Sequence, residues 1–210
     1  MAEFKLHCFR ESGNAFKVAM MLDLTGVDWE PVFLPFSSGL TRTADWRTGV
    51  NEMGEAPVLE HRGERLSQSG VILDYLSEVT GRFGARDAAQ RREVWRWILF
   101  DNHKFTSYFS MLRFQYGIQK TGETPVTEFL RGRVRAAWGV AEARLQRQDF
   151  IAGDQPTIAD LSMAGYHFYR EETGIDRAAE FPAIERWAAR IAALPGWRAP
   201  EVAMAQSGLS

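Results

Sequence analysis

Residues 51–76 read NEMGEAPVLEHRGERLSQSGVILDYL. Two short runs, 57–60 (PVLE) and 64–66 (ERL), flank His61-Arg62-Gly63, and glycine in so short a connection marks a β-hairpin. Ile72, Tyr75, Leu76 and Val79 then recur at helical spacing, and Gly81 supplies a stop. Ser67-Gln68-Ser69 opens that helix, where the first backbone N–H groups have no intrahelical partner. Gly54-Glu55-Ala56-Pro57 is compatible with a cis-proline turn, but only ~5% of X-Pro bonds are cis, so the turn alone leaves the isomer open.

Working back towards the start, Phe4, Leu6 and Cys8 alternate with Lys5, His7 and Phe9, the pattern of a half-buried strand. Glu11-Ser12-Gly13-Asn14 breaks it with turn and cap residues. Ala15 to Leu24 is apolar nearly throughout and reads as a buried helix ending near Gly26. Residues 29–34 (WEPVFL) form a second strand, which Pro31 confines to a sheet edge or a strand start. Residues 35–55 are mostly loop, with one short helix around Ala44–Thr48. The order is β-α-β-(α)-β-β-α.

Working forward, residues 81–86 (GRFGAR) form a linker, and 87–199 look helical throughout. Leu130, Val134, Ala137, Trp138, Ala141 and Leu145 make one apolar stripe; Ile184, Trp187, Ala188, Ile191 and Leu194 make another. Pro182 suits a helix start and Pro195-Gly196 a stop. The tail from Glu201 is polar and small, and is expected to be mobile. The sharpest local signal is FIAGDQPTIADL at 150–161. Thr157 caps a helix while Asp160 reaches back to the backbone, with Pro156 and Leu161 as the flanking hydrophobic staple. Such a box stabilises helices in any protein, so its expected role is folding.

Composition narrows the function classes. The 210 residues suffice for one large domain or two small ones, at ~100–200 residues per domain. Lys plus Arg number 25 against 27 Asp plus Glu, and a net charge of −2 argues against a nucleic-acid partner. A single cysteine permits no internal disulfide and points to a reducing compartment. The start, MAEFKLHCF, lacks a signal-peptide run, and no uncharged stretch nears the ~20 residues of a membrane helix. The expectation is a soluble, cytoplasmic protein with no membrane partner.

The chemistry is less explicit. A half that begins strand–turn–helix resembles thioredoxin, yet Cys-x-x-Cys is missing and Cys8 falls inside the first strand as a small hydrophobe. Where thioredoxin-like proteins place their reactive group, this chain has Ser12-Gly13-Asn14, and either polar side chain also suits a helix cap. His7, His61, His103 and His167 show no metal-ligand spacing, and no phosphate-cradling glycine loop occurs.

Taken together, these pieces resemble the cytosolic glutathione transferases over essentially the whole chain. The resemblance rests on SGNAFKV at 12–18, LTRTADW at 40–46, NEMGEAPVL at 51–59 and RLSQSGVILDYL at 65–76. It continues with FIAGDQPTIADLSMAGY at 150–166 and FPAIERWAARIAALPGW at 181–197. The wording is closest to bacterial serine- or asparagine-type members; the Ser-Ser-Cys opening of a zeta-class maleylacetoacetate isomerase is missing. The implied fold is α/β plus all-α: a thioredoxin-like domain over 1–81 and a helical-bundle domain over 87–210.

The resemblance also implies a site. Pro57 matches the family's cis-proline, which turns Ala56 so that its backbone pairs with the cysteinyl unit of glutathione. Gln68 and Ser69 match the pair that grips the γ-glutamyl carboxylate, and the loop of Arg42 and Trp46 lies where the glycyl end is contacted. Ser12, or Asn14 two residues on, would donate to the thiolate, with Ser12 favoured by its place in the motif. The electrophile site would face the second domain, with Phe105, Tyr108, Phe109 and Met111, on a helix beginning near Arg92, as its candidates; for most of these residues core is the commoner role. Asp101-Asn102-His103-Lys104 suits that site, a dimer groove or a solvated face. Glutathione is the implied cosubstrate, with no metal, a small electrophile as second substrate and a homodimer as the assembly. Three functions follow: a transferase, a glutathione-dependent disulfide or peroxide reductase, and a non-catalytic binding module. Retention of Ser12, Asn14, Ala56-Pro57 and Gln68-Ser69 argues against the third.

Overall fold

A computed structural model describes residues 2–205 of the protein. The chain divides into two compact units. One runs to Gly84 and takes in the segment from Leu194; the other is Ala85–Ala193.

The first unit is built on a four-stranded sheet in the order β2-β1-β3-β4. In β1 (Phe4–Cys8) the alternating apolar side chains are buried and those between are half-buried, as the period of two requires. The helix α1 (Gly13–Thr25) is buried on nearly every side, and Gly26, at φ +71°, ends it by donating its N–H to Leu22 and Asp23 carbonyls. That crossover makes β2 (Trp29–Phe33) parallel to β1, and β2 lies at the sheet edge, where Pro31 lacks no ladder partner it needs. After the short α2 (Ala44–Gly49) come β3 (Val58–His61) and β4 (Glu64–Ser67), an antiparallel hairpin, then α3 (Ser69–Thr80), capped by Gly81 at φ +67°.

The tail departs from expectation. Pro200–Ala203 form a helical turn, Ala203 and Met204 are buried, and Arg10 Nε donates to the Met204 carbonyl at 3.0 Å. Arg198 Nε donates to Asp23 Oδ2 at 2.9 Å. Gly196, at φ +91°, lets the chain pass α1 so closely that a Cβ there would lie 2.9 Å from the Asp23 carbonyl oxygen. A polar, small-residue segment is thus held by hydrogen bonds and one glycine, which composition does not register, and it joins the first unit. The remainder of that tail, 206–210, lies outside the described residues.

In the second unit α4 (Ala88–Phe100) starts ahead of Arg92, because the Asp87 side chain accepts from Gln90 N at 2.7 Å and caps it. The helical path continues through a π-type turn at Asp101–Phe105, α5 (Thr106–Leu112) and a second π-type turn at Arg113–Ile118. The core stripe of α6 (Pro125–Leu145) is buried at all six expected positions. Glu142 on α6 accepts from the N–H groups of Ala183 and Ile184 at 3.0 Å, and so satisfies the head of the later helix Pro182–Ala192 from a different helix. Ahead of α7 (Ile158–Ala164) the capping box forms: Thr157 N donates to Asp160 Oδ2 at 2.8 Å. Asp160 Oδ1 also accepts from Ile151 N at 2.7 Å and Trp187 Nε1 at 2.9 Å, tying a loop and a second helix to the box.

Candidate functional site

Ser12 is the N-cap of α1, with an extended backbone that hands the chain from β1 into the helix. Its Oγ accepts from Ala15 N at 3.2 Å, an interaction that uses an oxygen lone pair and leaves the hydroxyl proton to donate elsewhere. Asn14 lies in the first helical turn, and its Oδ1 is buried with no partner among the described residues. A buried amide in that state calls for an explanation, and a bound ligand is one. Cys8, fully buried in β1, is not a rival nucleophile: desolvation pushes its thiol up to about 12.

The second part of the site is the turn before β3 and the head of α3. The Ala56–Pro57 bond is cis. Asn51, 7% exposed, fixes the preceding loop with both ends of its amide: Nδ2 donates to the Glu55 carbonyl at 2.9 Å and Oδ1 accepts from Met53 N at 3.2 Å. Gln68 heads α3 at φ +67°, a region rare for residues with side chains and typical of functional positions. Its side chain caps nothing: Nε2 donates instead to Glu55 Oε2 at 3.1 Å and to Met53 Sδ at 3.2 Å. The first N–H groups of α3, beside the buried Ser69, therefore have neither an intrahelical partner nor a side-chain cap. Such a helix head attracts an anion through its N–H groups and dipole.

The neighbouring loop supplies charge. Arg42 is exposed, and its guanidinium pairs with no other described residue. Trp46 is different: it is buried in a small cluster with Leu34 and Val58, so its ring supports the loop from beneath rather than lining an open surface. Arg47 donates to the Glu52 carbonyl at 2.9 Å and lies against Gly54 so closely that a Cβ there would be 2.6 Å from the guanidinium. Asn51, Met53 and Glu55 are site-forming residues that the sequence reading passed over. The Asn-x-x-Gly turn at 51–54, closed by Gly54 N donating to the Asn51 carbonyl at 2.9 Å, was the available signal.

In the helical unit the four electrophile-site candidates part company. Phe105 and Phe109 are buried, with ring centroids 5.5 and 4.8 Å from that of the fully buried Trp138, and belong to the core, where such aromatic pairs add to the burial of their area. Tyr108 accepts from Arg133 Nη2 at 3.0 Å, with the guanidinium over its ring. Met111, 46% exposed, lines an open apolar groove of about 530 Å3 with Phe114, Val126, Phe129, Leu130 and Tyr166. Asp101 is buried too, accepting from Thr106 and from Ser162 Oγ, the latter at 2.7 Å, so it is a hub of the helical unit and not a solvated face. His61 and His167 are likewise buried; His61 Nδ1 contacts Tyr75 OH at 2.6 Å and His167 Nε2 contacts Glu185 at 2.9 Å. Among the described residues no group of three or more His, Cys, Asp or Glu is arranged to hold a metal, and no helix is long and apolar enough to cross a membrane.

Comparison with known proteins follows the same division. The model of the glutathione S-transferase N-terminal domain matches residues 2–78, and that of the C-terminal domain matches 105–195. Glutathione S-transferase 3 of Zea mays is 31% identical over 173 residues, covering 78% of this chain and 77% of that protein. The crystal structure of a glutathione S-transferase from Pseudomonas fluorescens superposes with a TM-score of 0.89 at 27% identity, covering 95% of this chain and 99% of the other. The transcriptional regulator URE2 of Saccharomyces cerevisiae is 25% identical over 226 residues, and those span 88% of this chain and 63% of that protein.

Proposed function

Because this chain belongs to the glutathione S-transferase family, we propose that it binds glutathione on its first unit and transfers the thiolate to small electrophilic molecules. The observation that carries the reading is the head of α3: a left-handed Gln68, a buried Ser69 and uncapped N–H groups, next to a cis proline. The γ-glutamyl carboxylate is the anion for that head, the Ala56 backbone pairs with the cysteinyl unit, and Arg42 serves the glycyl carboxylate.

The thiol then needs activation. A free thiol has a pKa of ~8.5, and lowering it to about 6.5 takes ~2.7 kcal/mol. One hydrogen bond to a charged acceptor contributes ~1.5–3 kcal/mol, and a helix N-terminus ~0.3–1. A single donor at the head of α1, from Ser12 or Asn14, is sufficient, and no general base is required. Conjugation is then attack of the thiolate sulfur on the electrophilic carbon, with loss of a leaving group or addition across an activated double bond.

Two further readings stand on the same binding site. A disulfide or peroxide reductase would use the same thiolate, and a regulator such as URE2 is the precedent for a relative named for a role other than catalysis. The deciding experiment is an assay of the purified protein with glutathione against an aryl halide and, separately, a glutathione mixed disulfide. Turnover of the halide supports transfer, turnover of the disulfide alone supports reduction, and binding without turnover supports the regulatory reading.

A further inference from the structure

Met53 carries a thioether on the loop before the cis proline, and it is 51% exposed. Its backbone is held: Met53 N donates to the Asn51 amide oxygen at 3.2 Å, and Gly54 N closes the turn on the Asn51 carbonyl at 2.9 Å. Its Sδ accepts from Gln68 Nε2 at 3.2 Å, and Glu55 Oε2 accepts from the same nitrogen at 3.1 Å. The two N–H groups of that amide thus have one acceptor each, which fixes the side chain of the residue that heads α3 at φ +67°. The other described methionines divide by exposure. Met20, Met21, Met163 and Met204 are at most 2% exposed, and Met53 is matched only by Met111, on α5 in the other unit.

Exposure decides which thioethers meet an oxidant, and hydrogen peroxide converts an accessible methionine to its sulfoxide. A sulfur lone pair attacks one peroxide oxygen, the O–O bond breaks, and the second oxygen leaves as water with the proton of the first. Sulfur is oxidised by two electrons and the peroxide is reduced by two. Gln68 engages one lone pair of the Met53 sulfur and leaves the other for this attack. In the product the sulfur carries partial positive charge and the new oxygen partial negative charge. The Gln68 N–H must then leave the sulfur and follow the oxygen. That disturbs the head of α3, where the anion-attracting N–H groups begin. We propose that Met53 is an oxidation site that lowers the protein's hold on glutathione, acting through Gln68. The proposal rests on glutathione binding at that helix head, and it adds a control on the site rather than a contact within it.

The test treats the full chain with hydrogen peroxide, removes the oxidant, maps sulfoxides by peptide mass spectrometry and titrates glutathione by calorimetry. Met53 and Met111 are expected to gain oxygen, while the buried Met20, Met21, Met163 and Met204 do not. The dissociation constant of wild type should rise about fivefold, equivalent to one hydrogen bond near 1 kcal/mol. It should recover after treatment with the two methionine sulfoxide reductases, one for each sulfoxide epimer. Every variant is compared with its own untreated sample. Met111→Leu should keep the peroxide effect, Met53→Leu should lose it, and Gln68→Ala should lose it too, because the coupling runs through that amide. An unoxidised Met53 beside an oxidised Met111 would overturn the proposal. So would a Met53 sulfoxide that binds glutathione as tightly as the thioether, or a full peroxide effect in Met53→Leu or Gln68→Ala. A wild type that binds no glutathione before treatment overturns the glutathione reading and this proposal with it, a failure told apart from the others because it precedes the peroxide.

Discussion

Replacing Ser12 with alanine separates two jobs that one hydroxyl is proposed to do. As a cap, its Oγ accepts from Ala15 N at 3.2 Å, and deleting such a cap costs about 1 kcal/mol of stability. In a chain of this size that lowers the thermal midpoint by roughly 2–4 °C. As a donor to the glutathione sulfur, its loss withdraws about 1.5–3 kcal/mol from the thiolate and raises the bound thiol by roughly one to two pKa units. A bound pKa moving from about 6.5 to about 8 cuts the thiolate fraction at neutral pH about eightfold. The rate-against-pH profile should therefore shift upward while the Michaelis constant for glutathione changes little. Asn14→Ala is the paired measurement. Its amide oxygen has no partner, so its removal should change stability by no more than about 0.5 kcal/mol. A pH shift in Asn14→Ala with only a stability loss in Ser12→Ala makes Asn14 the donor and Ser12 a cap. If neither profile moves while activity persists, the thiol is activated by another group and the head of α1 is the wrong place to look.

Four other outcomes can be checked directly. Gln68→Ala with Ser69→Ala should weaken glutathione by about 1–3 kcal/mol in calorimetry, and an unchanged affinity moves the site elsewhere. Asp160→Ala strands the buried N–H groups of Ile151, Thr157 and Trp187, so urea denaturation should show a loss of at least about 3 kcal/mol; a loss below about 1 would mean the box is dispensable. Cys8, its thiol pushed up to about 12, should resist iodoacetamide at mildly alkaline pH in the native protein and react once unfolded in urea; rapid native labelling contradicts its burial. The exposed apolar side chains Leu99, Val126, Phe129 and Val140 fit a homodimer, which sedimentation should show as twice 23.8 kDa at micromolar concentration, and a stable monomer ends that proposal.

Strand alternation, helix stripes and glycine stops are local properties, and the structure keeps them where the chain wrote them. The hairpin at 58–67, the Gly26 and Gly81 caps, the edge position of Pro31 and the Thr157–Asp160 box all follow from neighbours a few residues apart. The sequence misleads where two roles share one residue type. An aromatic run at 105–111 suits either a ligand wall or a core, and burial of Trp138 on another helix claimed Phe105 and Phe109 for the core. Trp46 was claimed in the same way by Leu34 and Val58.

From its sequence alone this protein determines a first half of mixed strands and helices and a helical second half, because propensity, periodicity and turn chemistry act over one or two turns of chain. Ser12, Asn14, Pro57, Gln68 and Ser69 stand out only through the family resemblance. Only tertiary structure decides that residues 194–205 return to α1, that Glu142 caps a helix 40 residues downstream, and that Glu55 meets Gln68 across 13 residues. Those contacts depend on which backbone amides and carboxylates folding brings within hydrogen-bond reach, at around 3 Å, and no window of sequence carries a distance between its distant parts.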